Sequence, residues 1–365
     1  MIRLFEEQVR LHPERAAIRD PLAGREASFQ EVDRQARRIA AKLIREGLEP
    51  GDAVLITASR GIGYIEAMLG ILMAGGAYVP LATHYPQKRV DTIREDCGAK
   101  ILVDDAFLQE AEAEEPLQKA VERAPEDRAL IAYTSGSTGS PKGVVHDYLS
   151  LREFVRRHGE VLAFREEDVF GFNAPLFFIV GAGGLSCLAH GVTTVIVPDA
   201  LRADPEGLAS FIDEQGITVL YIPPKVLRYF RKKGSSLRTV FTGSERLTGI
   251  EPKGFLLVNC YGMTETLSAV TRFEVRRCYD NTPIGKPLCG VQLYLLDEEG
   301  KRADEGEICV AGHLGREYLN KPEQSAATFV PNPFRSEDGY ETLLHTGDLG
   351  KRLPDGNFVY LNRKD

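Results

Sequence analysis

The chain has 365 residues, 43% hydrophobic and 27% charged, enough for two or three domain-sized units that each bury a core. A net charge of −8 excludes a basic face for nucleic acid or anionic lipid, so neither a nucleic-acid partner nor a membrane is expected. Six cysteines, at 97, 187, 260, 278, 289 and 309, have no C-x-x-C and no regular spacing; this excludes a disulfide framework or zinc site and points to a reducing cytoplasm.

The amino terminus, Met1–Glu7, is charged too early for a signal peptide. Short apolar runs then alternate with amphipathic stretches. The pattern predicts strands at Ala53–Thr57, Ile101–Val103, Ala129–Thr134, Thr193–Val197, Thr218–Ile222, Val240–Thr242 and Leu256–Asn259. It predicts helices at Phe29–Glu46, Tyr64–Ala74, Pro86–Asp96, Leu149–His158, Phe178–Leu188 and Pro205–Glu214. Several strands are continuous Val/Ile/Leu runs, as expected when helices cover both sheet faces, so the class is α/β with mostly parallel sheets. Residues 169–198 hold no Asp, Glu, Lys or Arg, but Asn173, Pro175, Gly181, Gly183, Gly184, His190 and Gly191 argue for a buried helix and strand rather than a membrane span. The acidic patch Gln109–Glu115 and the basic run Arg228–Arg238 read as solvated surface. After about residue 275 turns become frequent and strands short (Gln292–Leu296, Glu307–Ala311, Phe358–Leu361), which predicts a β-rich unit over 276–361 beside two α/β subdomains over 1–275.

The segment Leu130–Val145 carries the most chemistry. A buried strand enters a loop of Gly, Ser and Thr, followed by Pro141, Lys142 and a second strand. Glycines let backbone N–H groups approach an anion; Ser135, Ser137 and Thr138 add hydroxyls and Lys142 a positive charge, which together suit a triphosphate. Pro141 and Gly143 flank the lysine, so this is not a Walker loop.

Thr134-Ser-Gly-Ser-Thr-Gly-Ser-Pro-Lys-Gly143 resembles the signature loop of the adenylate-forming superfamily, which includes acyl-CoA ligases, luciferases and the adenylation domains of nonribosomal peptide synthetases. Further motifs follow in that family's order: Leu72–Leu81, Asn259–Glu265, Gly306–Gly312 and His345–Leu349. Phe329–Phe334 and Leu353–Asn357 also resemble peptide-synthetase sequence. The resemblance implies an adenylation core over 1–361, with two doubly wound, mostly parallel sheet subdomains and a small β-barrel-like one. It also implies a hinge stub at 362–365, the small lysine-bearing domain that follows in the family being absent.

The resemblance further implies ATP and Mg²⁺ as cofactors and a carboxylic acid as substrate. A carrier protein with a phosphopantetheine arm is the implied acceptor. Thr134, Ser135, Gly136, Ser137, Thr138, Gly139 and Lys142 would hold the phosphates. Tyr261 would stack on adenine, with Asn259 at the purine edge and Gly243, Ser244, Glu245 and Gly262 lining the pocket. Asp348 would bind the ribose hydroxyls, near Tyr360 and Arg363. Thr264, Glu265 and Lys142 would serve catalysis, Thr264 at the α-phosphate and Glu265 as the Mg²⁺ ligand.

By the same correspondence the acid pocket is lined by Phe178, Ile179, Ala182, Tyr221, Phe241, Gly243, Cys260, Ser268 and Ala269. Phe178 stands where α-amino-acid enzymes carry an Asp for the ammonium. An unpaired buried ammonium costs several kcal/mol, so the expected substrate lacks a free α-amino group: an aryl, fatty, α-keto or α-hydroxy acid. A free-standing acyl- or aryl-CoA ligase and an inactive nucleotide-binding module remain open. A dehydrogenase turn at Ile56–Gly63 lacks its first glycine and its ribose-binding acid.

Overall fold

The computed structural model describes residues 1–135, 141–176 and 179–364. Among the described residues three sheets organise the chain. The first has six strands in the order Glu317–Tyr318, Pro141–Asp147, Arg128–Ser135, Ala77–Pro80, Ala53–Ile56, Ile101–Val103, parallel on its inner side and antiparallel where Arg128–Ser135 doubles back as Pro141–Asp147. The second has nine, with a parallel centre running Leu256–Met263, Thr239–Thr242, Val219–Tyr221, Val169–Phe172, Thr193–Ile196, Ala16–Asp20 and antiparallel strands at both edges. The third is antiparallel throughout, built from Val291–Leu296, Glu305–Gly312, Thr342–Arg352, Phe329–Pro331 and Phe358–Arg363.

Local sequence explains the layers. The helix Phe29–Arg45 starts on a reciprocal cap, Ser28 with Glu31, and buries Phe29, Val32, Ala36, Ile39, Ala40 and Leu43 at helical spacing. Its neighbour Ile62–Met73 is apolar apart from Glu66 and nearly every residue of it is buried, as expected of a helix inside the core. The α/β class with largely parallel sheets is thus the observed one.

Two features differ from the sequence reading. The helix expected over Phe178–Leu188 forms only from Gly183 to Ala189, after a 3₁₀ turn at Ile179–Ala182. Gly181, Gly183 and Gly184 lower helix propensity there, and the backbone at Gly181 presses against the Leu176 carbonyl, where a Cβ would lie 2.2 Å away. Residues after 276 are also not confined to one sheet, since Glu317–Tyr318 pairs with Val144 and Val145 in the first. Among the described residues no helix is long and apolar enough to cross a membrane. In the dehydrogenase-like segment Arg60 donates to the carbonyls of Val197 (2.9 Å) and Ala174 (2.8 Å), a tie between elements.

Candidate nucleotide and acid site

In the nine-stranded sheet the connection order reverses around Val169–Phe172, which pairs with Thr193–Ile196 on one side and Val219–Tyr221 on the other. Ligands of open α/β sheets sit outside the carboxyl ends of strands at such a reversal. Here those ends carry Tyr221, Thr242-Gly243 and Tyr261–Met263.

A cavity of about 490 Å³ opens there, walled by Ser244, Glu245, Asn259, Tyr261, Asp348 and Arg363 among others. The Tyr261 hydroxyl donates to Asp348 Oδ2 at 2.7 Å, and Arg363 pairs with Asp348 Oδ1 at 3.2 Å. Burial, then the Asp348 charge, pushes the Tyr261 phenol far up, so it stays a donor. Asn259 lines the wall but spends one amide N–H on the Pro283 carbonyl at 2.9 Å. Glycine is obligatory at 262, where a Cβ would meet the Ser268 carbonyl at 2.1 Å, because the bulged strands approach closely. Ser244 adopts a left-handed φ of 73° and its hydroxyl meets that of Tyr221 at 3.0 Å. Arg246 lies 5.9 Å from the Tyr360 ring centroid, closing the far wall.

The strand Leu256–Met263 then enters the turn Thr264–Thr266, with Leu267 left-handed at φ 56°. Three successive carbonyls of this turn are tied down. His146 Nε2 donates to Thr264 O (2.9 Å), Gly315 N to Glu265 O (2.7 Å) and Arg157 Nη2 to Thr266 O (3.1 Å). Burial pushes His146 down to about 3 and Arg157 down to about 10, leaving the imidazole neutral and the guanidinium charged at neutral pH. The buried Glu265 carboxylate accepts from Tyr318 Oη at 2.7 Å and lies 3.5 Å from Lys142 Nζ, both on Oε1. Lys142 also sits 3.6 Å from the Tyr318 ring centroid.

Thr134 and Lys142 pair across the hairpin, which brings the ends of the Gly/Ser/Thr loop together, and Lys142 reaches Glu265 of this turn. The loop positions Gly136, Ser137, Thr138 and Gly139, and the side chain of Ser135, lie outside the described residues.

On the acid side, Tyr221 and Phe241 are register partners with ring centroids 5.3 Å apart. Gly243 backs onto the Cys260 carbonyl, where a Cβ would be 2.5 Å away. Ser268 and Ala269 pair with Met263 and Gly262. Ala182 and Phe241 are buried in one apolar cluster, with Tyr221, Cys260 and Ala269 packed against it. Phe178 and the side chain of Ile179 lie outside the described residues.

Comparison with known proteins bears on family and fold. The family model for the AMP-binding enzyme matches residues 5–319. The chain belongs to the AMP-binding enzyme family. Over 99% of its length it is 33% identical to bacitracin synthase 1 of Bacillus licheniformis and 31% identical to gramicidin S synthase 2 of Brevibacillus brevis. It spans only 7% and 9% of those relatives. A crystal structure of the nonribosomal peptide synthetase FmoA3 matches at TM-score 0.88 and 27% identity, covering 100% of this chain and 42% of that one. The N-terminal subdomain of Klebsiella oxytoca NpsA, in complex with 3-hydroxybenzoyl-AMSN, shares the fold at TM-score 0.86 and 22% identity, covering 100% of this chain and 99% of that one.

In this AMP-binding enzyme the sequence reading missed Tyr318, His146 and Arg157. Arg157 was detectable as a charge on the buried face of the helix Tyr148–Leu162, beside Phe154, Val155 and His158. Tyr318 was not, because only the pairing of Glu317–Tyr318 with Val144 and Val145 brings it to Lys142. For metal, Glu265 offers a buried carboxylate. Among the described residues Glu307, Cys309 and His345 also form a cluster of potential ligand atoms within 4.8 Å of one another, in which Glu307 and His345 Nδ1 already pair at 3.2 Å.

Proposed function

We propose that this chain activates a carboxylic acid lacking a free α-amino group as its acyl-AMP, with release of pyrophosphate, for transfer to the pantetheine thiol of a carrier protein. The observation that carries the nucleotide half is the convergence of Tyr261 with Asp348, and of Lys142 with Glu265, at one strand end. The residues present fit ATP and Mg²⁺. The cavity volume lies within the range of small-molecule sites, and a hard cation takes carboxylate oxygen of the kind Glu265 presents. The bound cation would supply charge neutralisation as two anions approach. Around it, Tyr261 offers a flat face to the base and Asp348 accepts from ribose hydroxyls. Lys142 and the tied-down Thr264 present positive charge and a hydroxyl to the phosphates, fixed in place before reaction.

The acid half rests on the wall of Ala182, Tyr221, Phe241 and Cys260, which holds no carboxylate to pair an ammonium. Pyrophosphate exchange against a panel of acids, in the protein as encoded, tests this. Aryl, fatty, α-keto or α-hydroxy acids should support exchange, and a clear preference for an unmodified α-amino acid would refute the acid half. Loading of a carrier protein in preference to free coenzyme A tests the acceptor.

A further inference from the structure

The helix Tyr148–Leu162 carries a histidine that the nucleotide chemistry does not use. His158 is 4% exposed and boxed by aromatic rings: Phe154 stacks on it at 5.4 Å, and Phe164, Phe170 and Phe241 meet it edge-on at 5.8, 5.9 and 5.8 Å. Among the described residues neither Nδ1 nor Nε2 has a hydrogen-bond partner. The neighbouring His190, by contrast, bonds the Ser186 carbonyl through Nδ1 at 2.8 Å. An unsatisfied buried polar group is destabilising, and a phenylalanine would fill the same box without that penalty. Stability therefore does not explain the imidazole.

The free edge of the ring has a direction. A Cβ built on Gly183 would stand 3.7 Å from His158 Cε1, 3.9 Å from Nε2 and 4.0 Å from Phe170 Cζ, so one heavy atom fits against that edge. Gly183 directly follows Ala182, and Phe241 is one of the rings of the box. Ala182 and Phe241 are the two acid-wall residues buried in the same cluster as His158's aromatic neighbours.

We propose that His158 is a specificity-determining residue at the far end of the acid pocket, exchanging a hydrogen bond with a neutral polar substituent, a hydroxyl, on the acid being activated. The inference rests on the acyl-adenylate reading above and on Ala182 and Phe241 lining the acid pocket. Burial, aided by His190, pushes His158 down to about 3, so the ring is uncharged at neutral pH. An uncharged imidazole donates to or accepts from a hydroxyl, whereas a second carboxylate would call for imidazolium. Gly183 places no side chain against that edge.

The test measures binding of acyl-AMSN analogues to the 365-residue chain by calorimetry. The probes are benzoyl-AMSN with its 3-hydroxy and 4-hydroxy forms, and pentanoyl-AMSN with its 5-hydroxy form. In the wild type, at least one hydroxylated analogue should bind roughly tenfold tighter than its parent, the effect of one hydrogen bond to a site otherwise unpaired. His158→Phe should erase that preference, bringing the ratio of hydroxylated to parent affinity to about one, and raise the melting temperature. His158→Gln, which keeps a donor and an acceptor, should retain part of the preference and carries the comparison if the phenylalanine variant does not fold. Equal affinity for parent and hydroxylated analogues in the wild type overturns the proposal, as does a preference that survives in His158→Phe. Binding without preference sinks His158 alone; binding of no analogue sinks the acyl-adenylate reading with it.

Discussion

The two halves of the site are built on opposite principles. On the nucleotide side polar groups are joined to one another: Tyr261 to Asp348, Asp348 to Arg363, and Lys142 and Tyr318 to Glu265. The backbone beneath them is pinned by His146, Gly315 and Arg157. On the proposed acid side the wall is made of rings and small residues, and among the described residues the nearby His158 has no hydrogen-bond partner. A site that always meets the same ligand can hold its charges in fixed geometry, whereas a site that distinguishes among acids works by volume and by one or two hydrogen bonds.

If that contrast is right, the largest effect comes from breaking the nucleotide side. Glu265→Ala should lower the rate of pyrophosphate exchange by ~10²–10³, the scale of removing a group placed for transition-state charge. Raising Mg²⁺ should not restore it. A loss of only a few-fold would mean that the Lys142–Glu265 pair is structural.

This asymmetry also decides how much could be read from the sequence. Phosphate, ribose and a hard cation each demand a residue type, so Lys142, Glu265, Tyr261 and Asp348 could be singled out in the sequence; the structure pairs Lys142 with Glu265 and sets Tyr261 and Asp348 together on one cavity wall. Parallel strands were legible because Ala53–Ile56 and Thr239–Thr242 are buried on both faces. His146 and Tyr318 were not, since their roles arise from pairings between segments far apart in the chain. His158 reads in the sequence as one polar position on an apolar helix face, and only the ring box around it shows that it lacks a partner.

A smaller effect is expected at the ribose end. Asp348→Asn keeps the shape of the side chain and removes the charge that Tyr261 and Arg363 share. Hydrogen bonds to charged groups contribute about 1.5–3 kcal/mol, so ATP affinity measured by calorimetry should fall about 10- to 100-fold. Affinity for the acid side of an acyl-AMSN analogue, compared between parent and hydroxylated forms, should keep its ratio. A change in that ratio would show that the two halves are coupled.

The smallest effect sits beside Asp348. His345 hydrogen bonding, outweighing burial, with the Gly347 N–H and Lys364 adding to it, holds Glu307 down at about 2. A carboxylate depressed in the folded state stabilises the fold above its unfolded pKa, roughly 4.3, and that contribution fades as pH falls towards about 2. Glu307→Gln should therefore lower the melting temperature at pH 7 slightly and flatten its decline between pH 4.5 and 2. An unchanged acid limb in thermal scans would remove Glu307 from the support of this wall.

The most direct measurement is a crystal structure of the chain grown with AMP and Mg²⁺. The base should lie on the Tyr261 ring, the ribose hydroxyls on Asp348 and the phosphate towards Thr264 and Lys142. A nucleotide bound at any other cavity, with Tyr261 and Asp348 untouched, would contradict the assignment of this strand end as the adenylate site.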